Sequence, residues 1–515
     1  MNTDYYQEKE EVSNVPKVNV GQCIQRQSNS TADSIGKVIN FSGNMTSRLN
    51  AINIRPKKKD KIIINVKYSQ YEIISTVAKE HGFKVTKSDK WEYDIIWMDL
   101  APSSNILAKL QKFQRINHYP GMSQVANKSN LARNLLRMAK VHPNGYSFFP
   151  KTWSLPSEYH ELKKYAKEHP KDTFIAKPEM MSQGKGICLI KNIESMSKSS
   201  PWIVQKYIEN PLLIDNLKFD LRIYVLISGI DPLRIYMYKD GIARFSTEEY
   251  EAPKKENMKN LFMHLTNYAI NKNNCGFDTE NQFDTEGKAH KRSLHSIWAL
   301  LSEEVGEEYW VCLQKRIKSI IVKTLITAKN HLWHAYRSSQ PDDMENSHWF
   351  EILGFDIMVD DNLEPYLLEI NHAPSFSTDT PLDNQVKHDL LFDTFKLLNL
   401  SVQRKCDYKV EQLRSTQHRI FTGKKTKYTH EERKEIRNQL DADRHKYEMQ
   451  NLGSYELIYS DQDKKIAKRY SKYVKDADFV SEEFASGNKY KKKMVELQEA
   501  SKNSKKGPKF RTMLT

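Results

Sequence analysis

This 515-residue chain contains no run of about eighteen consecutive apolar residues, the minimum for a membrane span, and its mean hydropathy is −0.71. The opening MNTDYYQEKEEVSNV lacks the basic start and apolar stretch of a secretory signal. Cysteine is scarce: Cys23, Cys188, Cys275, Cys312 and Cys406 are widely spaced, odd in number and form no CxxC pair. That pattern excludes a disulfide framework, argues against structural zinc and fits a reducing compartment. GxxxxGK[ST] is missing as well, so a P-loop is excluded. An intracellular, soluble protein with no membrane partner is the expectation.

What is present is length and lopsided charge. The chain is long enough for two to four domains with a sizeable core. Of the net charge of +15, residues 401–515 carry +11, from 28 Lys+Arg against 17 Asp+Glu, which leaves only +4 for the first 400 residues. A basic appendage on a near-neutral body points to an acidic partner: nucleic acid, a membrane surface or an acidic protein polymer. No aromatic stacking platform or zinc motif accompanies the basic segment, which weighs against nucleic acid. A charge run can also be no more than a solvated face.

Residues 1–58 are rich in Ser, Asn, Gln and Thr, end in a run of basic residues, and read as disordered. Order is expected from Lys61: a strand IIINV, a helix over 68–81, strands FKVT and YDIIWMD, then a Pro-Gly turn into a helix with Ser129 as N-cap. FFPKTWSLP reads as an extended link and 158–167 as a helix. RIYMY and GIARFST read as a strand pair with Arg244 at its centre. Helices are expected over 294–302, 310–334 and 381–400. The segment 401–485 reads as a basic helical region with few apolar anchors, and residues 486–515 as a disordered basic tail.

Chemistry concentrates in 349–380, WFEILGFDIMVDDNLEPYLLEINHAPSFSTDT. Two apolar strands flank an Asp/Asn turn. If 361–364 form a four-residue loop, Asp356 lies opposite Glu369, and Asn371 shares the face of Glu369. Like charges opposed across a ladder destabilise it. Two carboxylates and an amide on one face are explained by a hard cation between them, and Mg²⁺ takes such oxygen ligands in the company of phosphates.

Upstream, Lys177 ends a buried strand, an unusual place for lysine, and Gly184-Lys185-Gly186 forms a hairpin whose glycines let a backbone approach a phosphate closely. In KFDLRIYVLI, Lys218, Asp220, Arg222 and Tyr224 share one face while Phe219, Leu221, Ile223 and Val225 share the other. A row of alternating charges on a strand suits an anionic substrate.

These pieces come in the order of an ATP-grasp ligase. KPEMMSQGKGI, FDLRIYVL, HLTNYAINK and WFEILGFDIMVDD…PYLLEINHAPSF resemble the tubulin tyrosine ligase-like family over residues 60–400. FQRINHYPGMS and LARNLLRM are similar to its branch of chain-elongating polyglutamylases. The resemblance implies an α/β (α+β) ATP-grasp core over 59–400, with an N-terminal domain (59–125), a central domain (126–200) and a C-terminal domain (201–400). It implies ATP and Mg²⁺ as cofactors. Asp356, Glu369 and Asn371 match the metal ligands, and Lys177 and Lys185 beside Gly186 the groups on the phosphates. Gln205, Lys206 and Ile208 match the adenine segment, Lys218, Asp220 and Arg222 the KxDxR strand, and Thr266 and Asn267 lie beside the phosphates. Arg244 matches the arginine at the amino-acid carboxylate, and His372 the position that differs between branches. Because none of the set is missing, an active enzyme is expected.

The implied reaction joins free glutamate to glutamates on tubulin tails, with elongation favoured, and 401–485 would bind microtubules. A monomer in the cytoplasm and cytoskeleton, with cilium, axoneme or basal body by kinship, completes the expectation. A glycine ligase, a glutamylase of other proteins, and a microtubule-binding module with a vestigial core are the competing readings.

Overall fold

The computed structural model describes residues 55–486 apart from 91, 112, 180, 182, 197–199, 275, 278–288 and 424–427. The disorder expected in 1–54 and 487–515 lies outside the described residues. The described chain forms two compact units. The larger comprises 56–408 with the described residues from 428 onward; the smaller retains residue 55 and the outer turns, from 409, of the helix Val402–Thr422. On those outer turns Leu413, Ile420 and Phe421 are exposed.

Three sheets build the larger unit, and the expected mixed α/β class is what the chain forms. The first consists of β1 (Ile63–Tyr68), β2 (Lys84–Thr86), β3 (Ile95–Met98) and β4 (Arg115–Ile116), all parallel, in the order β2-β1-β3-β4. Parallel neighbours need a crossover, and the helix Glu72–Glu80 supplies it between β1 and β2, burying Ile73, Ile74 and Val77. That helix starts later than expected because Tyr68 still belongs to β1. The next long helix, Lys128–Val141, is capped by Asn127, whose side chain accepts from the Asn130 amide at 3.0 Å, so the cap falls two residues before Ser129.

The second sheet is antiparallel, β5 (Thr152–Leu155), β6 (Phe174–Pro178), β7 (Cys188–Ile190) and β8 (Trp202–Lys206), ordered β5-β8-β6-β7. The supposed link FFPKTWSLP thus contributes an edge strand. The helix Tyr159–Glu168 buries Leu162 against Trp153 and Phe174 of this sheet.

The third sheet carries the long hairpin β10 (Leu217–Ile230) and β11 (Leu233–Phe245), with β9 (Leu213–Ile214), β12 (Lys291–Ser293), β13 (Glu351–Val359), β14 (Pro365–Asn371) and β15 (Tyr455–Ser460) around it. The two expected strands RIYMY and GIARFST are one strand, β11, with Tyr238–Asp240 forming a bulge in its pairing with β10. Leu221, Ile223, Val225, Phe355 and Ile357 pack with Leu313, Ile317 and Ile321 of the helix Glu307–Ile326. On the opposite side Tyr224, Leu226 and Ile352 meet Leu390 and Phe395 of the helix Pro381–Leu397, together with Ile74 and Trp97. The expected helix over 310–334 is two, Glu307–Ile326 and Lys329–Ser339. Among the described residues no helix is long and apolar enough to cross a membrane.

The segment after 427 is helical as expected, in His430–Gln450 and Lys464–Ser486, but it is built into the body. Between the helices β15 pairs with β11, placing Tyr236 opposite Leu457 and Tyr238 opposite Tyr455. Tyr470, Ala477 and Val480 recur at helical spacing and are buried in the large core. Glu448, 1 % exposed, accepts from Arg234 Nη1 at 2.9 Å, Tyr236 Oη at 2.7 Å and Arg444 Nε at 2.8 Å, and Arg234 is fully buried. A cut at Leu400, which would remove the basic segment, would therefore also strip an edge strand and leave a buried guanidinium without its carboxylate.

Candidate active site

A row of charges crosses the third sheet, strand by strand. Arg244 on β11 stands opposite Asp220 on β10, Arg222 on β10 opposite Asp356 on β13, and Asp356 opposite Glu369 on β14. The Asp356–Glu369 pairing is the one expected, reached by a different route. Val359 pairs with Pro365, so the turn is one residue longer, and a bulge after Asp356 restores the register.

Each acid along the row has a basic neighbour except the last. Arg244 grips Asp220 with Nε–Oδ1 at 2.7 Å and Nη2–Oδ2 at 2.6 Å. Arg222 holds Asp356 with Nε–Oδ1 at 2.6 Å and Nη2–Oδ2 at 3.1 Å, and Arg244 Nη2 reaches Asp356 Oδ2 at 2.8 Å. Burial would raise the Asp356 carboxyl, but Arg222 and Arg244 override it and hold the group well below the usual carboxylate range. Glu369, half-buried, makes no hydrogen bond or ion pair with another described residue. Asn371 donates weakly from Nδ2 to Asp356 Oδ2 at 3.4 Å, which leaves its carbonyl oxygen free. Asp356, Glu369 and Asn371 therefore offer only hard oxygen donors, one of them a carboxylate that no ion pair engages, a set that fits Mg²⁺.

These three line one wall of an open cleft, whose other walls come from the second sheet and from 264–267. Lys177, Lys185, Gln205, Lys206, Ile208, Lys218, Asp220, Thr266 and Asn267 line it as well. Gly186, Arg222 and Arg244 are not among the lining residues, the two arginines being held to Asp356 and Asp220. Gly184 and Gly186 have φ of +78° and +71°, and a Cβ on Gly184 would come within 2.5 Å of Ile270 Cδ1. Only glycine fits that turn, which keeps Lys185 exposed at the mouth.

Two lysines are buried in the cleft. Lys177 donates to Gln205 Oε1 at 3.1 Å. The amide of Gln205 is oriented by Thr152, whose hydroxyl donates to the Pro150 carbonyl at 2.7 Å and so must accept from Gln205 Nε2 at 2.9 Å. Lys218 donates to Tyr207 Oη at 2.7 Å and to the His264 carbonyl at 3.0 Å, with the Tyr207 ring 4.2 Å away. Burial lowers both ammonium groups, Lys218 to about 7. Burial and then Lys218 pull His264 down to about 4, so its ring is neutral, and Nδ1 lies within hydrogen-bond distance of Tyr207 Oη at 3.1 Å. The Lys206 ammonium instead pairs with Asp172 at 3.0 Å, leaving its backbone to the cleft.

Tyr207, His264 and Lys128 are among the lining residues that the sequence does not single out. Tyr207 alternates with Lys206 and Ile208 and looks like an ordinary strand residue. His264 opens the HLTN stretch, and Lys128 reaches across to the Met181 carbonyl at 2.8 Å. Only the alternation in QKYI could have flagged Tyr207. His372, in contrast, does not line this cleft. It points into a smaller one with His118.

Residues 106–408 match the tubulin-tyrosine ligase family. The chain belongs to that family. Its fold is accordingly ATP-grasp-like. It is 42 % identical over 412 residues to a probable beta-tubulin polyglutamylase of Tetrahymena thermophila, covering 79 % of this chain and 34 % of that protein. Tubulin polyglutamylase TTLL7 of Xenopus tropicalis is 38 % identical over 447 residues, 81 % of this chain and 48 % of its own length. Human tubulin polyglutamylase TTLL6 is 37 % identical over 420 residues, 81 % and 45 % respectively. The chain thus spans between about a third and a half of the length of these relatives.

Proposed function

We propose that this family member is an ATP-dependent ligase that adds glutamate, through an amide bond, to glutamate side chains or growing chains on tubulin C-terminal tails. One observation carries the reading: two buried lysines, Lys177 from the second sheet and Lys218 from the third, line a single cleft together with Asp356, Glu369 and Asn371. Cations and oxygen donors for a metal around one cleft suit a polyphosphate lying among them. The names of the relatives supply the tubulin substrate, and the cytoskeleton is the location that follows.

In this reading Lys177 and Lys218 bind phosphate oxygens, and the turn at Gly184–Gly186 closes over them. The second-sheet backbone at 205–208 receives the base. An acceptor carboxylate oxygen attacks the terminal phosphorus, the bond to the bridging oxygen breaks, and ADP leaves. The amine of free glutamate then attacks the acyl carbon, phosphate departs and the amine loses a proton. Arg222 and Arg244 hold the acids of the row and orient the incoming amino-acid carboxylate. Mg²⁺ held by Asp356, Glu369 and Asn371 would neutralise charge on the transferring group. Positioning and electrostatics do most of the work. His372, next to Asn371 but outside this cleft, is the position to which this reading assigns the choice between elongation and initiation.

The test is incubation of the purified chain with microtubules, Mg²⁺, ATP and labelled glutamate or glycine. Incorporation of glutamate that requires ATP and releases ADP is expected, and incorporation of glycine alone would sink the proposal.

Lys218 adds a pH signature. Its ammonium loses its proton near neutrality when no anion is present, because burial lowers it to about 7. A bound polyphosphate favours the charged form, so nucleotide binding above that pH takes up a proton and weakens as pH rises. Calorimetry at about pH 8 in two buffers of different ionisation enthalpy should show proton uptake that fades by about pH 6, below the value set by burial. Heats independent of buffer at the higher pH would contradict this.

A further inference from the structure

Outside the cleft, His118, Glu351 and His372 bring three ligand atoms within 4.8 Å of one another. The topology explains why residues so far apart in sequence meet. Ile116 at the end of β4 forms a parallel bridge to Trp349, just before β13, with Ile116 N donating to His348 O at 2.8 Å and Phe350 N to Ile116 O at 3.1 Å. Two residues beyond each bridge partner come His118 and Glu351. His372 follows Asn371 at the end of β14 and meets them from the other side. His118 and Glu351 are buried, and His372 has a side chain 38 % exposed in a small open cleft shared with Asp99, Asn117 and Pro374.

The two buried members are fixed by outer partners. His118 Nε2 lies 2.9 Å from the Met98 carbonyl, which can only accept, so Nε2 carries the hydrogen and Nδ1 presents its lone pair inward. That lone pair faces Glu351 Oε1 at 3.1 Å, while Glu351 Oε2 accepts the Tyr119 amide at 2.8 Å. Lone pair against carboxylate oxygen at that distance requires a cation between them, either a second ring proton or a metal ion. A histidine whose outer nitrogen donates to a carbonyl is also how proteins orient metal-binding imidazoles. Ligands about 2.0–2.1 Å from a tetrahedral zinc lie roughly 3.3 Å apart. The first pair already has that spacing. His372 Nδ1 is 3.9 Å from Glu351 Oε1 and, being half-exposed, is free to close the remainder.

We propose that His118, Glu351 and His372 form a second cation site, selective for a borderline-soft divalent ion of which zinc is the reference, with a fourth position open to the small cleft. Two imidazoles and a carboxylate are the donors of such an ion rather than of Mg²⁺. The site is separate from the all-oxygen set of Asp356, Glu369 and Asn371, yet joined to it by the Asn371–His372 peptide. The inference goes beyond the ligase reading and stands without it.

The probe is zinc alone, titrated into the full chain freed of metal by a chelator and then supplied with excess Mg²⁺, in competition with a chromophoric chelator. One equivalent is expected to bind with micromolar or tighter affinity. His372→Ala, which alters a half-exposed side chain, should weaken it by at least about tenfold, the effect typical of even an outer-shell partner, and His118→Ala should do the same. X-ray absorption of the zinc complex should show nitrogen and oxygen neighbours without sulfur. No stoichiometric zinc in the unaltered chain, an affinity unchanged by His372→Ala, or sulfur in the coordination shell would each overturn the proposal.

Discussion

Glu369→Ala is expected to lower glutamate transfer at least about a hundredfold, the upper end of the loss seen when a group merely supporting a metal ligand is removed. Retention on microtubules and the unfolding midpoint should stay unchanged. The reason is the charge row. Arg244 answers Asp220 and Arg222 answers Asp356, whereas the Glu369 side chain has no ion pair and no hydrogen bond to lose. Its removal relieves a like-charge pairing with Asp356 and costs the fold little. A carboxylate of this kind is explained by a ligand the protein does not itself provide. Transfer near the level of the unaltered chain would refute the metal assignment.

The second large effect lies about stability. Glu448→Ala should lower the unfolding free energy by about 3–5 kcal/mol, the usual consequence of removing one partner of a buried ion pair. Arg234 is fully buried, and with Glu448 gone it keeps only the more distant Asp441 carboxylate at 3.7 Å, the Asp441 carbonyl at 3.2 Å and Gln462 at 3.0 Å. Urea titration measures the change, and an unaltered midpoint would contradict it. The same geometry alters how microtubule binding should be tested. Removing everything after Leu400 would lower affinity by unfolding the body, so exposed basic side chains in the segment after 427 are the ones to neutralise while the core stays intact.

The legible parts of this chain were those in which chemistry and local pattern coincide. Asp356, Glu369 and Asn371 stand out because polar groups interrupt an apolar pattern; alternation by itself puts Glu369 and Asn371 on one face, and Asp356 joins them only through the register. The register was less secure. Its expected outcome holds only because a bulge offsets a longer turn, and bulges leave no trace in a period of two. Lys218, Asp220 and Arg222 were visible as a polar face, but the guanidinium grip across strands depends on which strands are neighbours. The region after Leu400 shows the limit most clearly. Its excess of charge suggested an appendage, while the short apolar run YELIYS gains its meaning from pairing with β11, and Glu448 from an arginine more than two hundred positions earlier. His118 was likewise silent, since the bridge between Ile116 and Trp349 has no local signature. His372 was noticed for its place beside Asn371 and turned out to face another cleft.

The most direct test of the central claim is mass spectrometry of tubulin C-terminal tails after incubation with the purified chain, ATP, Mg²⁺ and glutamate. The account predicts a ladder of tail species separated by single glutamates, with the added residues amide-linked to tail glutamates, and no ladder when ATP is omitted or Glu369 is replaced. Tails of unchanged mass under conditions where the chain binds ATP would contradict it.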